Sequence, residues 1–174
     1  MNKTFVISDT HFGHQNIIKL ANRPFQLVQE MDKTLIDNWN LVVGDNDNVM
    51  FGGDFAFYKN EDKLREIFNQ LKGFKFLIKG NHDKDAVTKL PWALIIRDRV
   101  EFSHKDRMVV IDHYPLEDWS GRFRGAIHLY GHTHKAIREM TNRYCMCVEE
   151  TSYMPVDLSD FVNRTNKEKK INEK

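Results

Sequence analysis

Five times along this chain a short apolar run ends in a cluster of aspartate, asparagine, histidine or glycine. Phe5-Val6-Ile7 leads to Asp9-Thr10-His11, Val49-Met50-Phe51 to Gly52-Gly53-Asp54, and Phe76-Leu77-Ile78 to Gly80-Asn81-His82-Asp83. Val109-Val110-Ile111 leads to Asp112-His113, and the run 126–130 to Gly131-His132-Thr133-His134. Such runs, rich in β-branched and aromatic residues and closed by turn residues, predict buried strands. Met31, Leu35, Ile36 and Trp39 repeat at the spacing of one helix face, as do Leu64, Ile67, Phe68 and Leu71, with Gly73 as a stop. Tyr144 to Val148 predicts a further strand. The first half therefore alternates strand and helix, and the second half is rich in strands. In open α/β sheets the edge at the strands' C-terminal ends is where sites are built.

With 174 residues, the expected organisation is one domain over residues 1–162. Residues 163–174, NRTNKEKKINEK, lose nearly all apolar side chains and are expected to form a charged, disordered tail. A formal net charge of +1 gives no global signal for binding a polyanion, so any nucleic-acid contact is expected to be local. Met1 to Ser8 lacks the apolar stretch of a secretory signal and no segment is long enough to span a bilayer, so a cytoplasmic location without membrane contact is expected. Cys145 and Cys147 would share one strand face as reduced core residues.

Taken singly, most of these motifs are ambiguous. Asp9-Thr10-His11 puts a carboxylate and an imidazole at i and i+2 on one side of an extended chain, but a turn residue beside a surface histidine reads the same way. Gly53-Asp54 is equally a glycine-rich turn, and Asn81-His82-Asp83 equally a helix cap. His132 and His134 make a good chelating pair or two exposed strand-end histidines, and a lone His113 is more often structural.

The ordered set carries more information than its members. D-x-H, G-D, G-N-H-D, a lone histidine and G-H-T-H, in this order from Met1 to Glu149, resemble the calcineurin-like metallophosphoesterases. The resemblance implies an α/β fold of four layers, a two-sheet β-sandwich flanked by helices, with metals at strand C-terminal ends. It implies that Asp9, His11 and His134 hold one metal ion, that Asn81, His113 and His132 hold a second, and that Asp54 bridges them. It further implies hydrolysis of a phosphate ester by a metal-bridging hydroxide, with His82 facing the phosphate and Asp83 orienting it. Carboxylates, imidazoles and an amide without thiolate suit manganese first, with iron, zinc, cobalt or nickel as alternatives. Seven ligands are also too many for one ion.

Protein Ser/Thr phosphatases carry G-D-x-V-D-R-G and G-N-H-E, whereas this chain has Asp54-Phe55-Ala56-Phe57-Tyr58 and Gly80-Asn81-His82-Asp83. It looks more like the small bacterial or phage-type members, and a nucleotidic or cyclic phosphodiester, or a nucleic-acid fragment, is the expected substrate. A phosphomonoester is the alternative, and a metal-binding scaffold without activity is a second. His14, Arg122 and Arg124 are candidate substrate contacts, the arginines within an aromatic and basic loop that includes Trp119 and Phe123. Phe55, Phe57 and Tyr58 are assigned chiefly to packing, with Phe57 and Tyr58 also as stacking candidates, and His104 and His128 to surface or sheet.

Overall fold

The computed structural model describes residues 2–164. Among these residues nine strands form two sheets. The first sheet contains β1 (Thr4–Ile7), β2 (Asn48–Phe51), β3 (Phe74–Ile78), β4 (Leu94–Ile96) and β9 (Val156–Asp157), in the order β4-β3-β2-β1-β9. All its pairings are parallel except β1 with β9. The second contains β5 (Arg99–His104), β6 (Arg107–Asp112), β7 (Ile127–Tyr130) and β8 (Arg143–Cys145), in that order. There β5 and β6 form an antiparallel hairpin, while β6, β7 and β8 run parallel.

Strands β1, β2 and β3 of the first sheet are covered on both faces, which is why they read as continuous apolar runs. Alternate residues divide between two cores. Phe5, Ile7, Val49, Phe51 and Leu77 pack with Met31, Leu35 and Trp39 of α2 (Val28–Val42) and Leu64, Ile67 and Phe68 of α3 (Glu61–Gln70). Val6, Met50 and Ile78 face the other way, against Val109, Ile111, Ile127 and Leu129 of the second sheet, with Leu158, Phe161 and Val162 closing this core. This is the two-residue period of a strand read directly into two layers. α3 starts at Asn60, whose side chain accepts from Lys63 N at 2.9 Å, with Glu61 and Asp62 in its first turn.

The outer face of the second sheet is covered by residues 114–126, whose helical part is the 3-10 turn Arg122–Arg124. Trp119 is buried there against Val110 and Ala126. The predicted strand 144–148 is shorter than expected, since β8 ends at Cys145. Met146 N still donates to Tyr130 O of β7 at 2.8 Å, but from there the chain pairs with the end of β1: Ser8 N donates to Met146 O and Val148 N to Ser8 O. Cys145 and Cys147 are both buried free thiols in one cluster with Tyr130.

Strands β4, β5 and β9 and the short helices α1 (Gln15–Leu20) and α4 (Asp85–Thr88) lack a sequence signal of comparable strength. Of the predicted tail, Asn163 and Arg164 are helical, continuing from Leu158, and the remainder lies outside the described residues. Among the described residues no helix is long and apolar enough to cross a membrane.

His128 sits fully buried in β7, its Nδ1 3.1 Å from Val110 O and its Nε2 accepting from Leu116 N at 3.0 Å. Burial pulls its pKa from 6.5 down to about 4. The folded state therefore binds this proton more weakly than the unfolded chain. Its contribution to stability is full above pH 6.5 and is lost as the pH falls toward about 4. Urea unfolding should show a larger loss of stability between pH about 7.5 and about 4.5 for the wild type than for His128→Gln. Equal losses would show that His128 is not held neutral.

Candidate metal centre

The ends of β1, β2, β3, β6 and β7 meet along one edge of the sandwich, and backbone pairing continues past the strands into the polar motifs. Asp9 N donates to Gly53 O at 2.9 Å, His11 N to Asp54 O at 3.1 Å, and Gly131 N to His113 O at 3.0 Å. The motifs are thereby held in fixed register. Their backbone is also unusual: Asp9, His11, Asp54, His132 and His134 all have φ between 51° and 69°. Left-handed geometry costs a non-glycine residue about 1–3 kcal/mol and concentrates at functional sites. Two glycines make the approach possible. A Cβ on Gly53, which has φ +95°, would lie 2.6 Å from both Gly80 N and His113 Nδ1, and one on Gly131 would collide with Asp9 Oδ2.

Two groups of metal-ligating side chains converge here, Asp9 with His11 and His134, and Asp54 with His113 and His132. His11 Nε2 lies 3.8 Å from Asp9 Oδ1, and His134 Nε2 lies 4.0 Å from the same oxygen. Asp54 Oδ2 is 3.7 Å from His11 Nε2 and 3.5 Å from His113 Nε2, so one carboxylate oxygen faces both groups. Asn81 Oδ1 joins the second, 2.9 Å from His113 Nε2 and 3.0 Å from His132 Nδ1. All seven expected ligands are therefore brought together.

The donor chemistry fits metal ions. Ligands bound about 2.1 Å from one ion lie roughly 3–3.5 Å apart, close to the separations found. His113 Nδ1 is 2.8 Å from Gly52 O and His134 Nδ1 is 2.9 Å from Glu149 Oε1, contacts that place the proton on Nδ1 and leave Nε2 as a lone-pair donor. His11 Nε2 is buried and has no hydrogen-bond partner. Such an orphan is costly in a protein interior unless something not yet bound satisfies it.

Electrostatics points the same way. Burial pushes the Asp9 carboxyl upward, but His11, His113 and Ser8 outweigh it and hold it at about 2. Burial lowers the pKa of His11 and His132, the direction that favours the neutral imidazole a metal ligand needs. His134 is raised, burial being outweighed by Glu149. Cys147 Sγ lies 3.3 Å from Asp9 Oδ2, and its contact with Cys145, its burial and the Asp9 charge keep it a thiol.

The remaining candidates separate. His82 is exposed at the rim, its ring 5.8 Å from His11 and 5.0 Å from Phe57. Asp83 does not orient it. Asp83 is buried, with Oδ2 accepting from Asp54 N at 2.9 Å and Gly80 N at 2.8 Å and Oδ1 from Phe55 N at 2.8 Å. Its carboxylate ties the Asp54 and Gly80 loops together, with both oxygens turned to backbone amides. His14 stacks on Phe57 at 3.9 Å, with its ring 5.5 Å from His11.

Arg122 and Arg124 are not brought to the site. They precede β7, whereas the metal motif follows it, so they lie at the opposite sheet edge, where Arg122 donates to Glu117 O and covers Trp119. Tyr58 turns away as well, its hydroxyl donating to Asp32 Oδ2 at 2.6 Å.

Three residues at the centre escaped the sequence reading. Glu149 follows an apolar run, as the ligands do, and that position was its available signal. Tyr114, next to His113, is 46% exposed with its ring 4.6 Å from His132. Arg23 has no carboxylate within four residues in sequence and gave no signal.

No family model matches the chain. It is 37% identical, over an alignment of 186 residues, to Uncharacterized protein MJ1445 of Methanocaldococcus jannaschii, taking in 98% of this chain and 96% of that protein. It is 28% identical over 166 residues to the Gene 66 protein of Mycobacterium phage L5, covering 79% of this chain and 80% of that one. Among solved structures, the protein of unknown function AQ665 from Aquifex aeolicus superposes with a TM-score of 0.78 over 94% of this chain and 99% of that chain, at 24% identity, a likeness in fold.

Metal titration of EDTA-stripped protein should saturate at about two ions per chain, because two donor groups share one carboxylate. Asp54→Ala should reduce that stoichiometry. Saturation at one ion in the wild type, unchanged by the substitution, would contradict a shared centre.

Proposed function

The chain belongs to the same family as the Methanocaldococcus jannaschii protein, and we propose that it is a metal-dependent phosphoesterase of the calcineurin-like type. The observation that supports this reading is the pair of donor groups joined through Asp54 Oδ2 at an accessible edge. Asp9, His11 and His134 would hold one ion and Asn81, His113 and His132 the other, with Asp54 between them. Two bound divalent cations would supply Lewis acidity, an activated water and charge neutralisation at a phosphoryl group. Manganese is the first choice in vitro, with iron, zinc, cobalt or nickel compatible with the same donors.

The protein's own groups divide the remaining work. His82 stands at the rim with its backbone N–H anchored on Asp54 Oδ1 at 2.8 Å, which sets the loop while leaving the ring free to face a phosphate or protonate a leaving oxygen. Asp83 serves by holding that loop. His82→Ala should lower kcat by about 10²-fold or more with unfolding stability and metal content near wild type. Asp83→Ala should instead destabilise the fold by about 3 kcal/mol or more, since three buried amides lose their acceptor at about 1–3 kcal/mol each. The reverse pattern, with metal lost from His82→Ala, would overturn both roles.

A nucleotidic or cyclic phosphodiester is the favoured substrate, with a phosphomonoester as the alternative. Support comes from the rim beside the second donor group, where Asn81, His82, His132 and Tyr114 are exposed. Lys79 and Arg97, which follow the adjacent parallel strands β3 and β4, and Lys84 are exposed at the same edge. An aromatic ring and several cations beside a phosphate site suit a base and a flanking phosphate. Phe57, already stacked on His14, and the distant Trp119 do not supply that surface.

With Mn²⁺ in one buffer, kcat/KM should be higher for bis-(p-nitrophenyl) phosphate or a 2′,3′-cyclic nucleotide than for p-nitrophenyl phosphate or a phosphopeptide. A monoester ahead of every diester by about tenfold, about 1.4 kcal/mol in transition-state binding, would reverse the substrate assignment.

A further inference from the structure

Arg23 is 4% exposed, and its side chain donates to acceptors on three sides. Nη1 donates to Thr10 O at 2.9 Å and Nη2 to Asp9 O at 2.7 Å. Nε donates to Glu149 Oε1 at 2.9 Å, and Nη2 lies 2.8 Å from the same oxygen. That oxygen is also the partner of His134 Nδ1, while Glu149 Oε2 is buried with no hydrogen-bond partner. A buried guanidinium is costly unless its donors are satisfied, and these are satisfied almost entirely by the first donor group and its supports.

We propose that Arg23 and Glu149 are positioning residues that raise the metal affinity of the Asp9, His11 and His134 group above that of its neighbour. The inference rests on the reading of these groups as metal sites. Two effects combine in it. The guanidinium captures the carbonyls of Asp9 and Thr10, which pins the left-handed turn between Asp9, φ 58°, and His11, φ 51°, and so aims both side chains at one point. Glu149 fixes the proton of His134 on Nδ1, presents Nε2 toward Asp9 Oδ1, and raises the ring's basicity as a ligand.

Among the described residues the imidazoles of the second group have no charged partner of this kind, and Asp83 supports that group through the backbone of Asp54 and Phe55 instead. His113 Nδ1 pairs with a neutral backbone carbonyl, Gly52 O, and His132 is exposed with Nδ1 facing Asn81 Oδ1. His134 of the first group is thus braced by a charged pair, whereas the imidazoles of the second rest on neutral oxygens and one of them, His132, is exposed.

The test is a Co²⁺ titration of the EDTA-stripped full chain, followed by calorimetry and by the visible spectrum of the bound ion, with apo-protein melting as the control for folding. The variants are Glu149→Gln, which keeps an acceptor for His134 but removes the charge, and the double variant Arg23→Met with Glu149→Gln, which removes the charged pair together. The wild type should bind in two steps of unequal affinity. In both variants the tighter step should weaken by about 10–100-fold with an altered cobalt spectrum, while the weaker step stays unchanged. Should the double variant fail to fold, Glu149→Gln alone carries the comparison. Wild-type affinities in a folded variant, or equal losses in both steps, would overturn the proposal. A wild type that binds no cobalt would instead overturn the metal reading beneath it.

Discussion

The fold is organised around the problem of holding two buried carboxylates, Asp9 and Asp54, within reach of four imidazoles and an amide oxygen. A carboxylate removed from water needs compensation, and the polypeptide supplies part of it. Asp9 accepts from His132 N at 3.0–3.1 Å and Asp54 from His82 N at 2.8 Å. What remains is a set of lone pairs on nitrogen and oxygen aimed at one another, favourable only with cations among them. The left-handed residues, the glycine contacts and the interlocked loops are means to that arrangement.

A sandwich of two sheets is well suited to deliver it. Parallel strands end together, so β1, β2 and β3 in one sheet and β6 and β7 in the other present their following residues at a single edge. The two apolar faces of the first sheet fix both the helices above it and the second sheet below it, leaving the strand ends little freedom. Residues 146–148, crossing from β8 to pair with Ser8, stitch the sheets together at that edge. The crossing also carries Glu149 to the side of His134.

Much of this was legible in the sequence because the strands that lead into the site show as apolar runs and the candidate ligands follow them. The strands β1, β2, β3, β6 and β7 were found by that rule, and it located the motifs holding Asp9, His11, Asp54, Asn81, His113, His132 and His134, whose grouping as ligands came from the resemblance. Where the rule says nothing, reading failed for definable reasons. Asp83 follows His82 by one residue, yet neighbours in a turn point apart, and three amides claim its oxygens. Arg122 and Arg124 lie between two site motifs in sequence, but a chain joining parallel strands must return to the far edge before the next strand begins. Strand β5 alternates exposed and half-buried residues and carries little apolar signal. Arg23 acts through contacts 13, 14 and 126 residues away, a separation that no local pattern encodes.

Each donor group has two buried members, and the two differ in the third, His134 being half-buried and His132 exposed. His11 and Asp9 are buried, and His11 is further ringed by His14, Phe57, His82 and His134, with centroids 5.0–5.8 Å away. His14, pulled to about 4 by burial and by the neighbouring His11 and His82, adds no positive charge to that wall at neutral pH. On the other side Asn81, His132 and Tyr114 face solvent, and the nearby exposed cations Lys79, Lys84 and Arg97 lie on the same flank. An anionic substrate, as proposed, would be drawn by these cations toward the flank of the second donor group. If the two groups hold metal ions as proposed, residues of the Tyr114 flank are the ones placed to meet an arriving ligand, and Arg23 and Glu149 are placed to brace His134 on the other side.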